Sequence, residues 1–127
     1  SKLNSKEKKF KKKQIFCTLL LSGSKEIRYL NKKFRKKNKA TDVLSFPFQT
    51  KKELKKKLKT EKEIYLGDII INLNKIKSKN EKFFFETEFD RLWIHGLVHL
   101  FGHDHKKDKD FKIMRQVEKN YLDLVND

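Results

Sequence analysis

The chain predicts an α/β domain of the α+β kind: a small mixed β-sheet covered by helices, with one histidine-bearing helix at its centre. Two observations predict it. Short apolar runs of strand length, at 14–21, 42–46 and 65–72, alternate with segments whose apolar residues recur at helical spacing, and such a mixture buries its apolar faces by layering helices on a sheet. The chain is also 127 residues long, the size of one domain able to bury about two-thirds of its unfolded surface without disulfides. We read 1–13 as a lysine-rich N-terminal stub, a frayed tail or the end of a helix, and 14–127 as the single domain.

The elements follow in order. Residues 14–21 form a continuous apolar run, expected as a buried strand. Ser24 can cap a short helix reaching Phe34 or Arg35, with Ile27, Leu30 and Phe34 on its buried face. A basic loop, 36–39, leads to a strand at 42–46 that Pro47 closes. Residues 51–62 are highly charged, with Leu54 and Leu58 their only apolar side chains, and read as a solvated helical excursion or a loop. A strand at 65–72 follows, with Gly67-Asp68 near its start, and then a short helix around Lys75. Thr87 and Asp90 make a capping-box-like start for the central helix. Phe89, Leu92, Trp93, Leu97 and Leu100 give its apolar stripe, and Gly102 stops it. Residues 110–125 predict a last amphipathic helix through Phe111, Met114, Val117, Tyr121, Leu122 and Val125. There is no internal repeat.

Composition narrows the function classes. A formal net charge of +16 attracts phosphate polymers and makes their binding salt-dependent. Lysine supplies 29 of the 33 basic residues, beside abundant Phe, Ile and Asn, a bias that an AT-rich genome also produces. Charge alone therefore does not name the substrate. The single cysteine, Cys17, excludes an internal disulfide, points to a reducing compartment and reads as a packed core thiol. No stretch approaches the roughly 18 apolar residues of a membrane span. The lysines before residue 14 and the small residues after 21 loosely resemble a secretory signal, but the apolar run from Ile15 to Leu21 is seven residues long and holds Thr18.

All four histidines fall within eleven residues: His95, His99, His103 and His105. His95 and His99 are four apart, which on a helix puts both imidazoles on one face, about 5–6 Å apart at Cβ. Gly102 can take the left-handed conformation that ends a helix, and the turn lets His105 come back toward the other two. Three imidazoles and a water make the open, catalytic arrangement of zinc rather than the closed structural one. The metalloprotease pattern H-E-x-x-H-x-x-G-x-x-H is matched at His95, His99, Gly102 and His105, but Gly96 stands where its glutamate base belongs. Without that carboxylate the site cannot shuttle a proton to a leaving amine. Zinc lowers the pKa of a bound water from about 16 to about 7, so a phosphodiester remains a fitting substrate if a cation steadies the charge on its oxygens.

The stretch from His95 to His105 resembles the HG-x-LHL-x-GYDH signature of the YbeY family, bacterial endoribonucleases of ribosomal RNA maturation. Leu30-Asn31-Lys32-Lys33-Phe34-Arg35, with Thr41-Asp42-Val43-Leu44-Ser45-Phe46-Pro47-Phe48, resembles the family's LN-x-x-YR and TDVLSFPF, and Leu66-Gly67-Asp68-Ile69 its LGDI. The resemblance covers 15 to the C-terminus. It implies a zinc-dependent endoribonuclease holding one Zn²⁺ through His95, His99 and His105, acting in 16S rRNA 3′-end processing and ribosome quality control. It further implies ribosomal RNA, the small ribosomal subunit or its assembly factors as partners, with a cytoplasmic location. Arg35 corresponds to the cleft arginine, whose guanidinium offers a fixed fork of donors to phosphate oxygens, and Lys37 to a further cleft lysine.

Asp68 and Asp104 are the candidates for a general base, and Asp68 is expected near the cleft or a partner surface. His103 replaces the signature's tyrosine; ligation beside His105 would be sterically awkward, so it is read as a non-ligand. The family's glycine after the arginine is Lys36 here and its proline before Thr41 is Ala40, changes expected to loosen the loop that holds Arg35. Members carry an extra strand and helix before the strand at 14–21. Here only a lysine-rich stub precedes it and residue 1 is not methionine, so either the beginning is omitted or this version is truncated, with an exposed sheet edge expected. The rival readings are a ribosome-associated RNA-binding module with a structural zinc, and a metalloprotease.

Overall fold

The computed structural model describes residues 12–76, 81–102 and 108–125. Its sheet has three strands, β1 (Gln14–Ser22), β2 (Val43–Pro47) and β3 (Glu63–Asn72), in the order β1-β3-β2. β1 runs parallel to β3 and β2 antiparallel to it, so the most apolar strand lies in the middle. The helices are α1 (Ser24–Arg35), α2 (Lys51–Thr60), α3 (Lys82–Leu100) and α4 (Asp108–Val125), with a 3-10 turn at Leu73–Lys75. The mixed sheet-and-helix class expected from the sequence is what forms.

The sheet separates two unequal cores. On one face Ile64, Leu66, Ile69 and Ile71 of β3 pack with Leu92, Leu97, Val98 and Leu100 of α3 and Tyr121 of α4. On the other, Ile27 of α1, Leu44 and Ile70 form a small cluster with Leu30 and Phe46 at its margin. Ile69 and Ile70 therefore point to opposite sides, as strand alternation requires. The change of parity after Leu66 comes from a bulge opposite Phe16 and Cys17. Gly67 (φ 142°) makes it possible, because a Cβ there would collide with the Phe46 carbonyl oxygen.

Several local expectations are corrected. β1 forms the expected exposed edge, but not the buried strand its apolar run suggests: Phe16, Leu19, Leu20 and Leu21 are exposed, and Cys17 is an exposed thiol rather than a packed core one. The cap of α1 is Gly23, with no side-chain cap bond, and Ser24 Oγ instead accepts from the buried Asn72 amide. Phe34 is 60% exposed, meeting the sheet only through an edge-on contact with Phe46. α2 is a formed helix that Thr50 caps by accepting from Glu53 N, anchored by Leu54. α3 starts at Lys82, so Thr87 lies inside it and donates to Phe83 O, while Asp90 accepts from Trp93 Nε1. The lysine-rich stub up to residue 11 lies outside the described residues.

The loop between α1 and β2, which Lys36 and Ala40 are expected to loosen, carries several hydrogen bonds. Lys36 adopts the left-handed conformation (φ 57°), and its N–H donates to Asn31 and Lys32 carbonyls, closing the helix. Buried Asn31 donates to Lys39 O, Arg28 donates to Asn38 Oδ1, and buried Asn72 donates to Thr41 O. These bonds fix where the basic residues of the loop stand.

Candidate active site

α3 lies close against the sheet because residue 96 has no side chain. A Cβ on Gly96 would stand 2.6 Å from Ile69 Cγ2 and 3.0 Å from Ser45 Oγ. Buried Ser45 uses this proximity, donating from Oγ to Gly96 O at 2.9 Å. With residue 96 turned to the sheet, His95 and His99 one turn apart line a cleft along β2.

The two imidazoles converge. Their Nε2 atoms are 3.2 Å apart, with ring centroids at 4.7 Å and planes at 84°. On the far side of its ring, His95 meets Glu118 of α4 through Nδ1 and Oε1. A carboxylate there keeps the proton on Nδ1 and leaves the Nε2 lone pair facing His99, the usual way a metal-binding histidine is oriented. At this separation the pair makes an N–H···N hydrogen bond when one Nε2 carries a proton, and offers two lone pairs to a cation when neither does. Nitrogens about 2.0–2.1 Å from a tetrahedral zinc lie about 3.3 Å apart, so the donor pair fits a divalent ion. His103, Asp104 and His105 lie outside the described residues, immediately after Gly102, whose φ of 105° is the helix-ending turn expected for it.

The cleft holds about 570 Å³, and Arg35, Lys37, Lys39 and Lys51 line it together with both histidines. Arg35 reaches it from the end of α1 by crossing the free edge of β2, where Nη2 donates to Ser45 O. Ser45 thus ties the arginine to the histidine helix, with one backbone and one side-chain bond. The cleft is cationic on one wall and imidazole-lined on the other. That arrangement suits a phosphate-bearing chain, whose oxygens accept from guanidinium and ammonium groups.

Matching of the whole chain to known families now decides the assignment: residues 2–126 fit the family model described as Endoribonuclease YbeY. The chain belongs to this family. The Endoribonuclease YbeY of Pelagibacter ubique is 49% identical over 115 residues, 89% of this chain and 71% of that protein. That of Caldicellulosiruptor bescii is 38% identical over 110 residues, 83% of this chain and 70% of that protein. A Thermotoga maritima protein solved in solution superposes with a TM-score of 0.52 at 31% identity, covering 86% of this chain and 67% of that one. The YbeY resemblance carried by the three motifs is thereby borne out.

Against that family frame, Arg35, Lys37, His95 and His99 come together at one cleft. Asp68 does not. Its strand neighbour Ile69 faces Gly96, so Asp68 lies on the opposite side of the sheet, accepting from Tyr65 OH, which also bonds Thr18. The hydrogen bond to Asp68 is the main reason the Tyr65 phenol titrates above its ordinary range. Asp68 is therefore no base for this cleft. Reading the residues missed Glu118 and Ser45. Ser45 was within reach, since it sits inside the TDVLSFPF stretch; Glu118 is 23 residues from its histidine and belongs to no local motif.

Proposed function

We propose that this chain is an endoribonuclease that processes ribosomal RNA, cutting a phosphodiester held in the cleft between α3 and the free edge of β2. The observation that carries the reading is the convergence of His95 and His99 opposite Arg35 and Lys37 in one cleft. The names of the relatives support the reaction class, and the +16 charge supports a polyanionic substrate.

His95, His99 and His105 would hold one divalent ion, read as Zn²⁺, with Glu118 orienting His95. When bound, such an ion supplies Lewis acidity toward a phosphoryl oxygen and lowers the proton affinity of water. Arg35 binds the phosphate: Ser45 O fixes its guanidinium, leaving the other donors of the fork for phosphoryl oxygens, where added negative charge is held more strongly as the bond breaks. Lys37 and Lys39 neutralise the flanking phosphates. Asp104 remains the candidate base and His103 a non-ligand. The same reading places the enzyme in the cytoplasm, at the 3′ end of 16S rRNA and in ribosome quality control, with the small subunit or its assembly factors presenting the substrate.

The metalloprotease reading loses further ground, because position 96 faces the sheet and has no space for a glutamate. A structural-zinc module is separated by counting ligands: X-ray absorption on metal-loaded protein should find three imidazoles and an exchangeable position, whereas four protein ligands would favour the module. The direct test is cleavage of labelled rRNA fragments by native protein, Arg35→Ala and His99→Ala. We expect cutting by native protein and losses of about a hundredfold or more in both variants. Equal cutting by all three, once contaminating nucleases are excluded, defeats the proposal.

A further inference from the structure

The second face of the sheet carries rings that the fold leaves uncovered. Phe34 and Phe48 are 60% and 65% exposed. They belong to one row: Phe34 meets Phe46 edge-on at 5.7 Å, and Phe48 meets Tyr65 at 5.3 Å. Phe46 and Phe48, two residues apart along β2 and its extension, link the pairs on one side of the strand. Three of these four rings have a cation over them. Lys33 Nζ is 5.4 Å from the centroid of Phe34, the Arg35 guanidinium 5.6 Å from that of Phe46, and Lys57 Nζ 5.1 Å from that of Phe48.

Exposed rings paired with cations are how proteins hold unpaired nucleic-acid bases, the ring taking the base and the cation its phosphate. A protein partner fits less well, because lysine is depleted from the centre of protein interfaces. Arg35 joins this face to the cleft, since its guanidinium both stands over Phe46 and lines the cavity of the histidines. We propose that Phe34, Phe46 and Phe48, with Lys33 and Lys57, form a base-stacking subsite for the stretch of RNA that leaves the cleft over the free edge of β2. This rests on the endoribonuclease reading and adds to it a second contact surface that sets where the strand lies.

Fluorescence anisotropy with a non-cleavable 2′-O-methyl RNA oligonucleotide, beside polyphosphate of matched charge, tests it. Phe34→Leu and Phe48→Leu should each weaken oligonucleotide binding about fivefold or more while leaving polyphosphate affinity unchanged. Phe48→Trp should keep or strengthen oligonucleotide binding, and circular dichroism should show all variants folded. Unchanged oligonucleotide affinity in both leucine variants overturns the subsite, as does equal weakening for polyphosphate, which would mark a general disturbance. Loss of self-association or of a bound protein with RNA affinity intact assigns the rings to a protein partner and also overturns it. Because the probe cannot be cut, these outcomes stand apart from the cleavage assay: native protein that cuts RNA without ring dependence defeats the subsite alone.

Discussion

The two faces of this sheet are built for different purposes. The face under α3 and α4 is a continuous apolar core in which Ile64, Leu66, Ile69 and Ile71 are almost fully buried. Among the described residues, the buried apolar cluster on the face under α1 is Ile27, Leu44 and Ile70, and large rings there stay exposed. The first carries the histidine pair, because α3 lies on it with Gly96 against Ile69 and Ser45, which turns His95 and His99 toward the cleft along β2. The second contributes little to holding that geometry. Its side chains are correspondingly open to roles in contact with a substrate.

The largest test of this contrast is at Gly96. Gly96→Glu forces a Cβ and a carboxylate into the contact with Ile69 and Ser45, and should destabilise by more than about 4 kcal/mol, through overpacking and an unpaired buried charge. Gly96→Ala should cost about 1–3 kcal/mol. Urea unfolding measures both. A glutamate variant as stable as native protein would mean that α3 does not depend on this approach to the sheet. On the other face, Phe34→Leu should change stability by less than about 0.5 kcal/mol, as exposed positions do.

Next in size is the link between α3 and α4. Glu118→Gln keeps the volume but removes the charge facing His95 Nδ1, and should weaken divalent-metal affinity about 10–100-fold with the fold intact. Competition with a chromophoric chelator reads the loss. Unchanged affinity would show that Glu118 is an ordinary surface partner of His95.

The sequence made one face far more legible than the other. The four-residue spacing of His95 and His99 marks one helix face whatever surrounds it, and the alternation of apolar runs with periodic segments declares the layered class. Thr87 and Asp90, as cap-type residues, point to a late start for α3, whereas the helix begins at Lys82 and Phe85 stacks on Phe89 one turn later, at 6.0 Å. Phe34 was assigned to the core by its spacing from Leu30; periodicity gives the side of a helix but not how much sheet lies under it. Glu118 and the far-side position of Asp68 depend on tertiary packing and on a bulge at Gly67, neither of which a local pattern encodes.

A smaller effect sits where the face under α1 meets the cleft. Lys36 holds the left-handed turn after Arg35, a conformation that costs a residue with a Cβ about 1–2 kcal/mol. Lys36→Gly should stabilise by about 0.5–1 kcal/mol after the entropy lost by glycine, raising Tm by about 2–4 °C. A fall in Tm would show that the lysine side chain makes a compensating contact.

The smallest expected effect tests the open edge. Cys17 is exposed on β1, so access alone predicts a fast-reacting thiol. Partial burial, and then the negative charge of Asp68, push its pKa above the ordinary thiol value. The reactive species is the thiolate, and a raised pKa means less of it at any pH below that value. Iodoacetamide should therefore modify Cys17 more slowly at pH 8 than it modifies an unstructured cysteine peptide, with the rate profile displaced to higher pH. Asp68→Asn should move the profile part of the way back, because removing the carboxylate leaves the burial in place. A rate equal to the peptide's would show that solvent, rather than the sheet and Asp68, sets the surroundings of this sulfur, and that the edge is more open than its side chains suggest.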